Sequence, residues 1–202
     1  PNNKYTVGGS VNIFNDDARL TVMGLANNLN KQNLSDDEMS IKSSANRNTG
    51  SRQFSVNNQS GVAAAEILAL NYTDRWGRRK RASFEGSLFY NHLNAKNSFT
   101  VDRWYDPAVS KKDTIHYDQF ANPNNRTLKF RGRLEWKTGK RQKLVLIPTL
   151  NYYPNSSINR TDTTSLRWGE SGYRWMPSGN DGWSKNFSQG LYAQYSYRFL
   201  RQ

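Results

Sequence analysis

Apolar and polar residues alternate with a period of two along most of this chain, and the alternating runs are bounded by Gly, Asn and Asp. That period puts successive side chains on opposite faces of an extended strand, whereas a helix needs apolar positions three or four apart. The spacing predicts seven long strands, at about 4–15, 18–32, 61–76, 82–105, 125–138, 142–153 and 185–200. The fifth is the clearest. Leu128, Phe130, Gly132, Leu134 and Trp136 share one face, and Lys129, Arg131, Arg133, Glu135 and Lys137 share the other. The fourth sets Phe84, Gly86, Leu88 and Tyr90 against Glu85, Ser87, Phe89 and Asn91. The seventh sets Phe187, Leu191, Ala193, Tyr195, Tyr197 and Phe199 against Ser188, Gly190, Gln194, Ser196 and Arg198.

The connections also alternate. Short turns (Asn15-Asp16-Asp17, Gly77 to Arg81, Gly139-Lys140-Arg141) take turns with long polar loops at 33–60, 106–124 and 154–184. A soluble sandwich carries loops of mixed length at both ends. A transmembrane barrel of the bacterial outer membrane has short periplasmic turns and long extracellular loops. The expected strands exceed the five or six residues usual in globular sheets, and they match the roughly 9 to 11 that cross a bilayer at a tilt. Aromatic residues gather toward the strand ends, with Tyr72, Trp76, Trp136, Tyr197 and Phe199 near the short turns and Tyr90, Tyr152 and Tyr153 near the long loops. Interfacial girdles have this placement.

Composition narrows the function classes. The 202 residues suit a single unit, with 29 Lys+Arg against 16 Asp+Glu for a net charge of +13. Apolar residues make up only 35%, yet aromatics reach 13%, which argues against disorder. Asn (24) and Ser (20) are abundant, and there is no Cys, so disulfides, thiolate metal sites and a thiol nucleophile are excluded. The longest mainly apolar stretch, Val62 to Leu70, is interrupted by Glu66 and is far short of the roughly 20 residues of a membrane helix. The chain opens at Pro1-Asn2-Asn3-Lys4 without a basic-then-apolar start, which suggests a leader already removed or a piece of a longer protein.

Particular words in the sequence resemble the barrel region of TonB-dependent outer-membrane receptors. They are the run from Gly8-Gly9 through Asn15-Asp16-Asp17 to Gly24, and Leu70-Asn-Tyr-Thr-Asp-Arg-Trp-Gly77 followed by Gly86-Ser-Leu-Phe-Tyr-Asn-His92. Phe130-Arg-Gly-Arg-Leu-Glu-Trp136, ending near Leu150-Asn-Tyr-Tyr153, completes the set. The resemblance covers nearly the whole chain. It implies binding at extracellular loops, energy delivered by TonB through a plug, passage of a large ligand along the barrel interior, and a surface lipoprotein as partner. Receptors of this kind carry a plug and many more strands than seven. The chain is therefore expected to be a partial barrel segment over 1–202, with the remaining strands and the plug supplied elsewhere.

Chemistry-bearing clusters are sparse. His92 and His116 lie in different segments, and only His116 has nearby carboxylates, Asp113 and Asp118. Their spacing fits no metal or triad pattern. Asp36-Asp37-Glu38 lacks the Gly and spaced ligands of a calcium loop. No phosphate-cradling glycine loop occurs, so neither catalytic residues, metal nor cofactor are expected. The basic residues, Arg78-Arg79-Lys80-Arg81 included, are dispersed rather than set in one stripe, so nucleic acid is not the expected partner. Ligand contacts are expected from flat aromatic faces beside arginine forks, at Trp104, Tyr105, Arg167, Trp168, Arg174, Trp175 and Trp183. Glu85, Lys129, Arg131, Arg133 and Glu135 are expected to face a wet lumen.

The expectation is thus an all-β, antiparallel up-and-down barrel segment in the outer membrane of a Gram-negative cell, in contact with lipid and without catalysis. Two other readings stand beside it: a small oligomeric channel or structural barrel, and a soluble β-sandwich that binds carbohydrate through Trp-rich loops.

Overall fold

The computed structural model describes residues 4–29, 62–77, 80–103, 114–139, 141–166 and 172–198. These form one antiparallel sheet of seven strands, ordered β1-β2-β3-β4-β5-β6-β7 as in the chain. The strands are β1 (Thr6–Asn15), β2 (Ala18–Asn27), β3 (Val62–Trp76), β4 (Ala82–Arg103), β5 (Thr114–Trp136), β6 (Gln142–Leu166) and β7 (Tyr173–Tyr197). No helix occurs among the described residues. Among the described residues the sheet is open: β1 pairs only with β2 and β7 only with β6.

Three expected boundaries are corrected. β5 starts at Thr114 rather than near 125, β6 runs to Leu166 rather than 153, and β7 begins at Tyr173 rather than 185. Most of the expected loops at 106–124 and 154–184 is therefore paired strand, and what remains of these connections, 104–113 and 167–171, lies outside the described residues. Backbone pairing continues where apolar contrast stops. Thr161↔Gln119 and Thr163↔Tyr117 extend one ladder, and Ser157↔Gly182 and Asp162↔Pro177 extend the next. Thr and Tyr suit a pleated, half-buried surface, which these paired extensions provide. In contrast, β2 ends at Asn27, short of the expected 32.

Proline explains where the ladders break. Pairing of β5 with β6 skips Arg126–Thr127 opposite Tyr153–Pro154, and again Gly132–Arg133 opposite Ile147–Pro148. Pairing of β4 with β5 skips Ala95–Lys96 opposite Asn122–Pro123. Each gap sits where a proline has no N–H to donate to the next strand. Pro177 lies on the edge strand β7, where a missing donor need not interrupt a ladder.

The two faces of the sheet differ sharply. On β2 to β4, alternate residues are buried: Met23, Leu25, Ile67, Ala69 and Phe89 form one cluster, and Ala63, Ala65, Leu93 and Ala95 another. Thr21, Asn27 and Asn91 share this covered face, with the Thr21 hydroxyl donating to Asn12 Oδ1 at 2.6 Å. The opposite face is bare and apolar. The registers align its residues into rows across all seven strands, the central one running Val11–Val22–Leu70–Leu88–Phe130–Leu150–Gln189. On one side lies Gly9–Gly24–Leu68–Tyr90–Leu128–Tyr152–Phe187. On the other, Leu134, Leu146 and Ala193 lead to a last row holding Trp76, Ala82, Trp136, Leu144 and Tyr195.

Phe84 fills a gap on this bare face. Gly86 and Gly132 are cross-strand partners, and a Cβ on Gly86 would meet the Phe84 ring at 2.7 Å. The ring lies over both glycines, the way aromatic residues cover glycine pairs in sheets. The turns are built compactly. Asp16 and Lys80 take positive φ (50° and 51°), Gly77 has φ 86°, and the Lys80 amide donates to the Gly77 carbonyl at 2.9 Å. An ion pair from Lys80 to Asp17 ties the β3–β4 turn to the β1–β2 turn.

Candidate functional site

Three regions bring charged or aromatic groups together, and strand parity assigns each to a face. The first is the continuation of the covered face onto β5 and β6. Lys129, Arg131 and Arg133 project from alternate positions of β5, about 7 Å apart along the strand. Arg133 lies opposite Glu85 on β4 but donates to Glu135 at 2.9 Å, and Lys143 meets the other oxygen of Glu135 at 2.8 Å. The Lys129 ammonium stands 5.9 Å from the centre of the buried Phe89 ring. Arg131 is exposed, with no carboxylate partner among the described residues. All five residues expected to face a lumen thus share the face opposite Leu128, Phe130 and Leu134. Phe89 belongs with them, and Tyr153 has the same parity, so it is not part of the bare-face aromatic set.

The second region is the edge of the bare apolar band. Past Leu68, Tyr90, Leu128, Tyr152 and Phe187, the next row outward is Glu66–His92–Arg126 followed by Pro154–Lys185. Apolar character gives way to charge within one pleat. His92 Nδ1 lies 3.3 Å from Glu66 and its Nε2 lies 3.0 Å from Asn124 Oδ1. Asp74 is a charged residue inside the band, close to the short-turn end, where its carboxylate accepts from the Tyr72 hydroxyl at 3.1 Å.

The third region is the polar extension of β4 to β7. His116 contacts Asp102 through Nδ1 and Asp118 through Nε2, the latter at 3.4 Å. The hydrogen bond to Asp102, and then both carboxylate charges, raise the His116 pKa above its usual 6.5. A hydrogen bond from the Thr100 hydroxyl, and then the imidazole, lower that of Asp118 below 3.8. On the neighbouring strands, Arg160 grips Asp181 with both guanidinium nitrogens, the closer at 2.7 Å. All five side chains, His116, Asp102, Asp118, Arg160 and Asp181, are solvent-exposed, and they tie neighbouring strands together. Asp113, the other carboxylate expected near His116, lies outside the described residues.

Of the expected ligand-contacting residues, Trp104, Tyr105, Arg167 and Trp168 lie outside the described residues. Arg174 and Trp175 are consecutive on β7 and so occupy opposite faces. Trp175 and Trp183 share the bare face but stand eight residues apart, about 26 Å along the strand, so these three do not converge. Asp36-Asp37-Glu38 is likewise outside the described residues, among which no three His, Cys, Asp or Glu groups gather as a metal site. Sequence reasoning missed the His116–Asp102 and Arg160–Asp181 ties because it placed three of these residues in loops. The available signal was opposite charge at positions that a continued strand register makes neighbours.

Neither a protein-family model nor any curated protein matches the sequence.

Proposed function

We propose that the chain forms part of the wall and the outward-projecting hairpins of an outer-membrane β-barrel, most specifically of a TonB-dependent receptor that imports a large ligand. The observation that carries this reading is the bare apolar band. From Ala82 to Tyr90 it occupies about 26 Å of strand, which at a tilt near 40° stands roughly 20 Å tall, close to the ~25 Å band of outer-membrane barrels. Among the described residues nothing packs over it: Leu68, Trp76, Trp136, Phe187, Leu191 and Tyr195 remain 43–69% exposed. A soluble sandwich needs a second sheet against this surface. A bilayer covers it without one.

The rest follows in the same frame. The cationic ladder of Lys129, Arg131 and Arg133 lines the interior, where an acidic plug surface or solvent meets it. The long polar extensions all leave the band at the end opposite the short turns, which makes them the extracellular side. Further strands of the same barrel pair with the free edges of β1 and β7, because hydrocarbon does not tolerate unpaired backbone donors and acceptors. The role is transport and binding, without catalysis.

Nitroxide labels test the reading in reconstituted protein. Labels at Leu128, Phe130 and Leu134 are expected to relax with bilayer-dissolved oxygen, and labels at Lys129, Arg131 and Arg133 with a polar reagent or with neither. The same environment at both sets would overturn it.

A further inference from the structure

At the outer edge of the band, on the bare face, a shallow groove of about 370 Å³ crosses β5, β6 and β7. It is lined mainly by Asn124, Arg126, Pro154, Ser156, Trp183 and Lys185. Arg126 and Lys185 flank Pro154, two strand spacings or about 10 Å apart, so both cationic heads can reach one anionic group between them. Neither has a carboxylate partner among the described residues, in contrast to Arg133, Lys143 and Arg160. The Lys185 ammonium lies 5.7 Å from the centre of the Trp183 ring, and Trp183 is 77% exposed. The uncharged Pro154, where the β5–β6 ladder is interrupted, lies between the two cations.

Position decides the class of occupant. Immediately below the groove lie Leu128, Tyr152 and Phe187, the first apolar row of the band. A molecule filling this site has an anionic head between Arg126 and Lys185 and a hydrocarbon tail on the rows beneath. Asn124, Ser156 and the Trp183 ring add hydrogen-bonding groups and a flat face suited to a sugar. We propose that this groove binds the phosphate-bearing sugar headgroup of a glycolipid in the outer leaflet, with its acyl chains along the apolar band. The inference rests on the outer-membrane reading above.

The test uses the whole protein extracted from membranes in detergent. Native mass spectrometry with added diphosphorylated lipid A is expected to show a retained lipid that fully dephosphorylated lipid A does not match. Arg126→Gln combined with Lys185→Gln is expected to lower retention at least tenfold, while Arg131→Gln on the opposite face leaves it unchanged. Both altered residues are exposed, and unchanged heat-modifiable gel mobility of the double variant verifies its fold. Equal retention by the double variant, equal binding of the dephosphorylated lipid, or displacement by millimolar inorganic phosphate would overturn the proposal. The nitroxide experiment separates the two levels. Bilayer contact at Leu128 and Phe130 with no effect of the double variant refutes the glycolipid site alone. Absence of bilayer contact refutes the membrane reading, and the site with it.

Discussion

β5 has two halves that pair equally well and are built on different chemistry. From Leu128 to Trp136 apolar and charged residues alternate strictly, whereas from Thr114 to Arg126 both faces are polar apart from scattered residues such as Ile115 and Phe120. Both halves bond in register to β4 and β6. Backbone pairing therefore sets strand length, and side-chain contrast reports only which stretch has two different environments. The first half should depend on what covers its apolar face, and the second on its ladders and on local ties such as His116–Asp102.

Placing the same charge in each half exposes the difference most strongly. In the proposed membrane setting Phe130→Arg, at the centre of the band, is expected to cost about 2–4 kcal/mol, because a guanidinium there would lose water to lipid. Ile158→Arg, on the same face but in the extension, is expected to stay within about 0.5 kcal/mol. Urea unfolding in lipid vesicles measures both, and equal costs would erase the distinction.

A smaller effect probes packing within the band. Gly86→Ala pushes the Phe84 ring off the paired glycines and is expected to cost about 1 kcal/mol, the low end for overpacking because the ring can swing outward. Gly179→Ala, in the extension, meets the flexible Arg160 side chain instead and is expected to cost less, in the same unfolding assay.

The strand order, the two-faced pattern and the five residues opposite the apolar face were legible in the sequence because each rests on strict alternation. The extensions were not. Asn155-Ser156-Ser157 and Thr161-Asp162-Thr163-Thr164 carry no apolar contrast, and Asn, Ser and Asp are ordinarily turn residues. Pro123, Pro154 and Pro177 reinforced the loop reading, although the sheet accommodates all three, two by skipping pairs and one at its edge. The groove at Arg126 and Lys185 was equally hidden, because two residues 59 positions apart become neighbours only through the registers of β5, β6 and β7. Sequence reasoning instead grouped Trp175 and Trp183 by their proximity along the chain.

Charge on the covered face sharpens the comparison from the other side. Arg131→Gln is expected to change stability by no more than about 0.5 kcal/mol in the urea assay, since the side chain has no ion partner among the described residues. A cost matching that of Phe130→Arg would mean that the covered face is also sealed from water.

The smallest effect is that of pH on the extension. His116 contributes fully below 6.5 and loses its contribution as pH rises through its elevated folded pKa. Asp118 contributes above 3.8 and loses its contribution as pH falls through its lowered one. Protection of the β4–β5 extension amides against hydrogen exchange, corrected for intrinsic rate, is therefore expected to peak between pH 3.8 and 6.5. His116→Asn should flatten that peak while leaving amides of the band untouched.

The interior prolines bear on the chain before it folds. A 25-residue strand such as β6, rich in uncharged β-formers, is a hazard in water, where bare extended segments stack into fibrils. Pro148 and Pro154 divide β6 and Pro123 divides β5, so neither of these two strands presents an unbroken template for self-stacking, whereas β7 carries Pro177 only near its start. The missing ladder bonds in the finished sheet are then the cost of keeping those two strands from stacking before the sheet forms. Replacing Pro148 and Pro154 with residues that restore the donors would be expected to lengthen the ladders and shorten the time for which the unfolded chain stays dispersed.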